Sequence, residues 1–138
     1  MISVKFSEKY DYFYGDGFSQ VHFAANNGEL DVVKFLVSLT ENPISPDCDR
    51  WTPIHYSACK GHLEIVKFLV RLTDNPIVPC KIGCTPIHNA AWNGHLEMVK
   101  FLAKLTENPN ASDKFGRTPM QLAKSNGHFD VTNFFENL

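Results

Sequence analysis

A segment of the chain recurs every 33 residues, and this repeat limits the possible folds more than any other sequence feature. The stretch TPIHYSACKGHLEIVKFL begins at Thr52, and similar stretches begin at Thr85 and Thr118. A weaker copy, SQVHFAANNGELDVVKFL, begins at Ser19. Seven of the eight glycines lie at two positions of the repeat. A fixed period of this length indicates a solenoid of stacked units, because one unit is too short to bury its own apolar face.

Each copy contains signals for two helices. A threonine followed by proline, as at Thr52, is typical of a helix start, where threonine caps the helix and proline takes the first helical position. Gly61 then predicts the end of the first helix. The next segment predicts an amphipathic second helix that ends before an Asn-Pro pair such as the one at 75–76. Its predicted core residues are Leu63, Val66, Phe68 and Leu69.

The 33-residue period and the motif TPIH…A…GHLE resemble the ankyrin-repeat family. This resemblance implies an all-α ankyrin-repeat solenoid of stacked helix-turn-helix units, joined by projecting β-turn fingers. It also implies a binding function without catalysis, with a concave contact surface made of finger tips and first helices. The expected divisions are an irregular extension or cap at 1–16 and a single domain at 17–138, with repeats at about 17–49, 50–82, 83–115 and 116–138.

The copies also predict which residues form the core and which close its ends. Three core positions are predicted, namely those of Ile54, Leu63 and Phe68 with their equivalents in the other copies. The last repeat is predicted to act as a C-terminal cap with a polar outer face formed by Lys124, Thr132 and Asn133. Near the N-terminus we predict a short strand at Ile2, Val4 and Phe6, and an aromatic cover or finger for repeat one at Tyr10, Tyr12, Phe13 and Tyr14.

The stretch HYSACKGHLE also has the composition of a zinc site, with His55, Cys59 and His62 as ligands and Glu64 as a base. The histidines and the acid recur in other copies, whereas Cys59 does not, and this favours a structural role. The family resemblance implies that the TPIH histidine secures the threonine cap and the neighbouring finger. It implies that the GHLE histidine caps the turn between the two helices.

The remaining chemical motifs are weak. Cys48, Cys80 and Cys84 are predicted to be free thiols on exposed finger loops, with a metal or redox cluster as the alternative. Neither a nucleophile motif nor a glycine-rich phosphate loop is present in the sequence. We therefore predict that the protein is not an enzyme and uses no cofactor or metal.

Charge and composition limit the partners. The formal charge is −2, which argues against a broad electrostatic grip on nucleic acid or anionic lipid but leaves room for a local basic stripe. The sequence has neither an apolar N-terminal segment of signal-peptide length nor an apolar run long enough to span a membrane. Its four cysteines are too few and too irregularly spaced for a disulfide scaffold. We expect an intracellular protein, cytoplasmic or nuclear, that binds neither nucleic acid nor membrane.

Positions that differ between copies at the fingers and first helices are the best candidates for partner contact. Tryptophan and tyrosine are frequent anchors of protein interfaces. We predict that a protein or extended peptide contacts Phe18, Asp49, Trp51, Tyr56, Lys81, Ile82, Trp92, Phe115 and Arg117. Tyr56 is also predicted to be partly buried. Two alternatives remain open: an engineered binder built on an ankyrin scaffold, and a module that self-associates.

Overall fold

The computed structural model describes residues 17–138, which contain eight α-helices and no strand. They are α1 (Gln20–Asn27), α2 (Leu30–Val37), α3 (Pro53–Lys60), α4 (Leu63–Leu69), α5 (Pro86–Trp92), α6 (Leu96–Ala103), α7 (Pro119–Ser125) and α8 (Phe129–Glu136). A 3₁₀ turn, Val70–Leu72, follows α4. The odd-numbered helices are the first helices of the four repeats, so the predicted all-α solenoid is confirmed. The strand and the aromatic cover predicted within residues 1–16 lie outside the described residues.

Each first helix begins at the predicted cap. Thr52 Oγ1 accepts a hydrogen bond from the His55 N–H (3.4 Å), and the Thr52 N–H donates to His55 Nδ1 (3.0 Å). In the first repeat Ser19 and His22 form the same reciprocal pair. Serine therefore replaces threonine there without loss of the cap, because either hydroxyl can satisfy an unpaired N–H of the first turn.

The GHLE histidine satisfies a carbonyl at the end of the first helix of the preceding repeat, so the cap predicted for the turn between helices also joins two repeats. His95 Nε2 donates to the carbonyl oxygen of Cys59 (3.0 Å), near the end of α3, and His62 makes the equivalent bond to Asn26 (3.1 Å). The last carbonyls of a helix have no partner within the helix, and this donor satisfies one of them. Gly61 makes room for the ring, since a Cβ there would lie 2.8 Å from His95 Cε1.

The predicted core is correct for the first helices and shifted for the second helices. Ile54 and Ile87 are fully buried, as predicted, whereas the equivalent Met120 of the last repeat is half-buried against the core. In α4 the buried side chains are Ile65, Val66 and Leu69, whereas Leu63 and Phe68 are only half-buried. The Phe68 position is exposed in the first repeat, where Phe35 is 58% exposed, and the Leu63 position is exposed in the last, where Phe129 is 70% exposed. These two repeats have a neighbour on one side only within the described chain.

The cap of the last repeat is mostly as predicted. Lys124 and Asn133 are exposed, whereas Thr132 is buried. The Thr132 hydroxyl donates to the His128 carbonyl (3.1 Å), and this bond allows a polar side chain to be buried at the end of the solenoid.

The stack is tighter on one side than on the other. The first helices of successive repeats pack closely along their lengths, whereas the second helices contact each other sparsely. The family resemblance implies that the more tightly packed side, formed by the first helices and the fingers, is the concave side of the stack. Within residues 17–138 no helix has both the length and the apolar character needed to cross a membrane.

Replacing Arg50 by glycine should raise the free energy of unfolding by about 1 kcal/mol. Arg50 has a φ of 62°, in the left-handed region, where the equivalent residues Gly83 and Gly116 have 84° and 79°. Urea denaturation followed by circular dichroism measures the change. The matched control is Gly116→Ala, because no atom lies within 4 Å of a Cβ built there, so the substitution reports backbone strain alone. We expect the free energy of unfolding to rise for Arg50→Gly and to fall by a similar amount for Gly116→Ala. An Arg50→Gly variant with the same free energy of unfolding as wild type contradicts backbone strain at Arg50.

Candidate functional site

The fingers stand side by side on the concave edge of the stack. The Lys81 N–H donates to the carbonyl oxygen of Asp49 (2.9 Å), and the Lys114 N–H donates to that of Ile82 (2.9 Å). These bonds place the tips of three fingers in one line. We call residues 48–50, 81–82 and 114–115 the finger row. It brings together four of the predicted partner-binding residues, Asp49, Lys81, Ile82 and Phe115.

A buried carboxylate shapes the first and third of these fingers. Asp47 Oδ1 accepts hydrogen bonds from the N–H groups of Asp49 (3.0 Å) and Trp51 (2.9 Å). Asp113 accepts two equivalent bonds from the residues two and four positions later, both at 2.9 Å. The role of these acids was not predicted. The available signal was that Asp47 and Asp113 occupy the same position of the repeat, two repeats apart, with Cys80 at that position in the repeat between them. They fix the turn and therefore the direction of the side chains around it.

Three predicted residues form an aromatic cluster over the first two repeats, defined by Phe18, Trp51 and Tyr56. The centroid of the Tyr56 ring lies 5.0 Å from the centroid of the Trp51 ring and 5.3 Å from that of Phe18, which it meets edge to face. The Tyr56 hydroxyl donates to Asp47 Oδ2 (2.5 Å), which connects the cluster to the finger turn. All three side chains are half-buried, so the predicted partial burial of Tyr56 is confirmed. The cluster presents fixed ring edges rather than free side chains.

Phe115 and Arg117 form a second group on the third finger. Phe115 is 69% exposed, and its ring lies 5.1 Å from the Arg117 guanidinium. Arg117 Nε donates to Asp113 Oδ2 (2.8 Å). Burial alone raises the pKa of Asp113, but the hydrogen bonds from Arg117 and Phe115 outweigh burial and hold it below its ordinary value of 3.8. The carboxylate is therefore ionised at neutral pH and holds the guanidinium against the ring.

Trp92 stands apart from both groups. It is 48% exposed at the end of α5, and its carbonyl accepts a hydrogen bond from Asn126 Nδ2 (3.1 Å). Among residues 17–138 it makes no ring contact with another aromatic side chain. It is a separate exposed apolar side chain on the first-helix side of the stack.

Two of the finger cysteines are buried, so the prediction of exposed thiols is correct only for Cys48. Cys80 is 5% exposed and Cys84 is 8% exposed. Cys80 occupies the inward position of the turn aspartates, and the Cys84 thiol donates to Asp113 Oδ2 (3.7 Å). Burial, with Cys80 and Asp113 nearby, raises the pKa of Cys84 to about 12, which keeps its thiol protonated. Across the described residues no three His, Cys, Asp or Glu side chains are placed to hold a metal ion.

Replacing Cys80 by aspartate should raise the free energy of unfolding by about 1–2 kcal/mol. The new carboxylate would accept the N–H groups of Ile82 and Cys84, as Asp47 and Asp113 do in their own fingers. Guanidinium denaturation measures the gain. The control is Cys80→Ala, which removes the thiol without supplying an acceptor. An aspartate variant no more stable than the alanine variant contradicts this explanation of the turn.

A family model described as ankyrin repeats (3 copies) matches residues 4–78, 21–113 and 72–136. The matched region runs from residue 4 to residue 136 and contains both the fingers and the first helices. No curated protein matches the chain.

Proposed function

The chain belongs to the ankyrin-repeat family, and from this membership we propose that it is a non-catalytic module whose concave surface of finger tips and first helices binds a protein or extended peptide. Ankyrin repeats are in general protein–protein interaction modules, and the family is typically without enzymatic activity. The proposal assigns the contact to the finger row, the aromatic cluster, Trp92 and Arg117.

The observation that carries the proposal is a set of large apolar side chains left exposed along the concave side. Phe115 is 69% exposed, Trp92 48% and Ile82 40%. Exposed apolar groups on a folded protein commonly mark an interaction surface, and aromatic residues contribute most to binding energy there. The same positions carry different residues in the other copies, whereas the helix caps are kept, so the repeat fold does not require these side chains.

The test replaces both tryptophans of the concave side. In an affinity pull-down with detection by mass spectrometry, Trp51→Ala/Trp92→Ala should lose the partner that wild type retains, with affinity lowered by about tenfold or more. The control is Phe35→Ala/Phe129→Ala, which removes two exposed aromatic side chains from α2 and α8. Circular dichroism establishes that each variant is folded. Unchanged binding by the folded tryptophan variant contradicts the proposal.

Self-association is a second candidate, favoured by exposed apolar side chains on the second helices and the segments that follow them. Four of these are more than half exposed: Phe35, Leu39, Phe129 and Leu138. If they pair two copies, size-exclusion chromatography with light scattering should give a mass that rises with concentration. A constant monomer mass removes this candidate and leaves the binding module unaffected.

We also propose that the protein acts inside the cell, in the cytoplasm or nucleus. Three of its four cysteines, Cys59, Cys80 and Cys84, are free thiols. Free thiols are typical of reducing compartments, whereas secreted domains generally pair their cysteines. Microscopy of the tagged chain in cells of its source tests the assignment, and secretion into the medium contradicts it.

A further inference from the structure

Charge is divided unequally between the two sides of the stack. The second helices, with the turns before them and the loops after them, carry nine acids and five bases within residues 17–138. All nine acids are exposed, namely Glu29, Asp31, Glu41, Glu64, Asp74, Glu97, Glu107, Asp130 and Glu136. The formal charge of this side is therefore strongly negative.

The fingers and first helices have the opposite balance. In the same part of the chain they carry six bases, which are Arg50, Lys60, Lys81, Lys114, Arg117 and Lys124. Their three acids are Asp47, Asp49 and Asp113, and two of these, Asp47 and Asp113, are buried in the finger turns. Asp49 is the single exposed acid on this side of the described chain. With six bases against three acids, the fingers and first helices within residues 17–138 carry a formal charge of +3, in a protein whose net charge is −2.

The bases on the two sides also differ in their partners. On the second helices Lys67 pairs with Glu64 (3.7 Å) and Lys100 pairs with Glu97 (3.6 Å). On the finger row, within residues 17–138, neither Lys81 nor Lys114 forms an ion pair. Both ammonium groups are exposed. A carboxylate of a ligand could therefore pair with either ammonium group without displacing an ion pair of the described chain, subject to screening by salt.

Along the finger row these cations alternate with apolar side chains. Lys81 is followed by Ile82, and Lys114 by Phe115, in fingers whose backbones are hydrogen-bonded to each other. Arg117 adds a guanidinium held against the Phe115 ring. A ligand that lies along the second and third fingers meets a charged and then an apolar side chain in each of them.

We propose that the partner segment recognised by the finger row is an acidic linear peptide in which carboxylates alternate with apolar residues. This inference rests on the proposed function. Complementary charge speeds association and selects among partners, while the apolar contacts supply most of the affinity. A protein segment fits better than nucleic acid, because the exposed Asp49 carboxylate lies in the row and the opposite side of the stack repels a polyanion.

The experiment selects displayed random linear peptides on the full-length protein. Peptides enriched on wild type should be acidic and contain apolar residues. Their binding to Lys81→Glu/Lys114→Glu should be weakened by about tenfold. The matched control, Arg71→Glu/Lys104→Glu, makes the same change in net charge at exposed positions after α4 and α6, and binding should be unchanged. A labelled single-stranded oligouridine is measured in parallel and should not bind.

The outcomes separate this inference from the function on which it rests. If the enriched peptides are neutral or basic, the proposal of an acidic segment is overturned. It is also overturned if Lys81→Glu/Lys114→Glu and the control Arg71→Glu/Lys104→Glu lose binding equally. Oligouridine binding that the Lys81→Glu/Lys114→Glu variant abolishes overturns it in favour of nucleic acid. If the selection enriches no peptide, but the pull-down finds a partner that the Trp51→Ala/Trp92→Ala variant loses, then the acidic segment is overturned and the proposed function stands. A pull-down partner unaffected by the tryptophan substitutions contradicts the proposed function itself.

Discussion

Replacing His55 by alanine should lower the free energy of unfolding by about 3 kcal/mol. The side chain is fully buried and links three parts of the fold. Its Nδ1 accepts the Thr52 N–H (3.0 Å) at the start of α3, and its Nε2 donates to the carbonyl oxygen of Cys84 (3.2 Å) in the next finger. Alanine leaves the cap N–H and this carbonyl without their partner and leaves a cavity between two repeats. Urea denaturation at neutral pH measures the loss.

The last repeat supplies the control for this substitution. Gln121 occupies the position equivalent to His55, and its Oε1 accepts the Thr118 N–H (3.0 Å), so glutamine can complete the cap. His55→Gln should therefore keep the cap, lose the bond to the next finger and cost about 1 kcal/mol. Equal losses for the alanine and glutamine variants contradict the assigned roles, as does an alanine variant as stable as wild type.

Lowering the pH from 6.5 to 4 should remove about 3 kcal/mol of stability through His55. Burial, opposed in part by the bond to Cys84, lowers the pKa of His55 from its ordinary 6.5 to about 4. The hydrogen bonds also favour the neutral ring, because the Thr52 N–H can only donate and would face another N–H if His55 Nδ1 were protonated. The unfolded chain thus binds a proton at a higher pH than the folded chain. The stability conferred by neutral His55 is complete above pH 6.5 and is lost as the pH falls toward 4.

Denaturation of wild type and His55→Gln over this pH range tests the assignment. The glutamine variant should lose less stability than wild type on acidification, since its side chain does not titrate. His88, whose pKa burial also lowers, should account for part of the loss that remains in the variant. A wild-type free energy of unfolding that is the same at both ends of the range contradicts the buried neutral histidine.

The features that could be predicted from the sequence are the ones set by residues close to each other in the chain and present in every copy of the repeat. Thr52 with His55 predicts a capped helix start, and Gly61 predicts its end, because each acts through the backbone of nearby residues. The 33-residue period then places equivalent helices side by side. The order of elements, the core position of Ile54 and the location of the fingers follow from these signals.

Side-chain packing across the repeats could not be predicted in the same way. The run IVKFLV has apolar residues on several faces of a helix, so the sequence does not distinguish Ile65 and Val66 from Phe68 as the buried face. Likewise, Cys80 resembles an exposed loop residue until the finger turn directs it inward. The contact between Phe18 and Tyr56 joins different repeats and depends on how closely those repeats pack.

The same limit applies to the candidate site. Copy-to-copy variation identified the nine predicted partner-binding residues, but it gave no measure of how exposed each one is. Trp51 is held in the aromatic cluster, whereas Trp92 lies free of the other rings of the described chain. The unequal distribution of charge also became apparent only when each acid could be assigned as buried or exposed.

The central claim is that a protein partner contacts the fingers rather than the second helices. Phe115 on the third finger and Phe129 on α8 are 69% and 70% exposed, so they form a matched pair of sites for a photo-crosslinking phenylalanine analogue. Irradiation in a lysate, followed by mass spectrometry, measures which site captures a protein. We predict a specific crosslinked partner from position 115 and none from position 129. Crosslinking at position 129 alone would contradict the account.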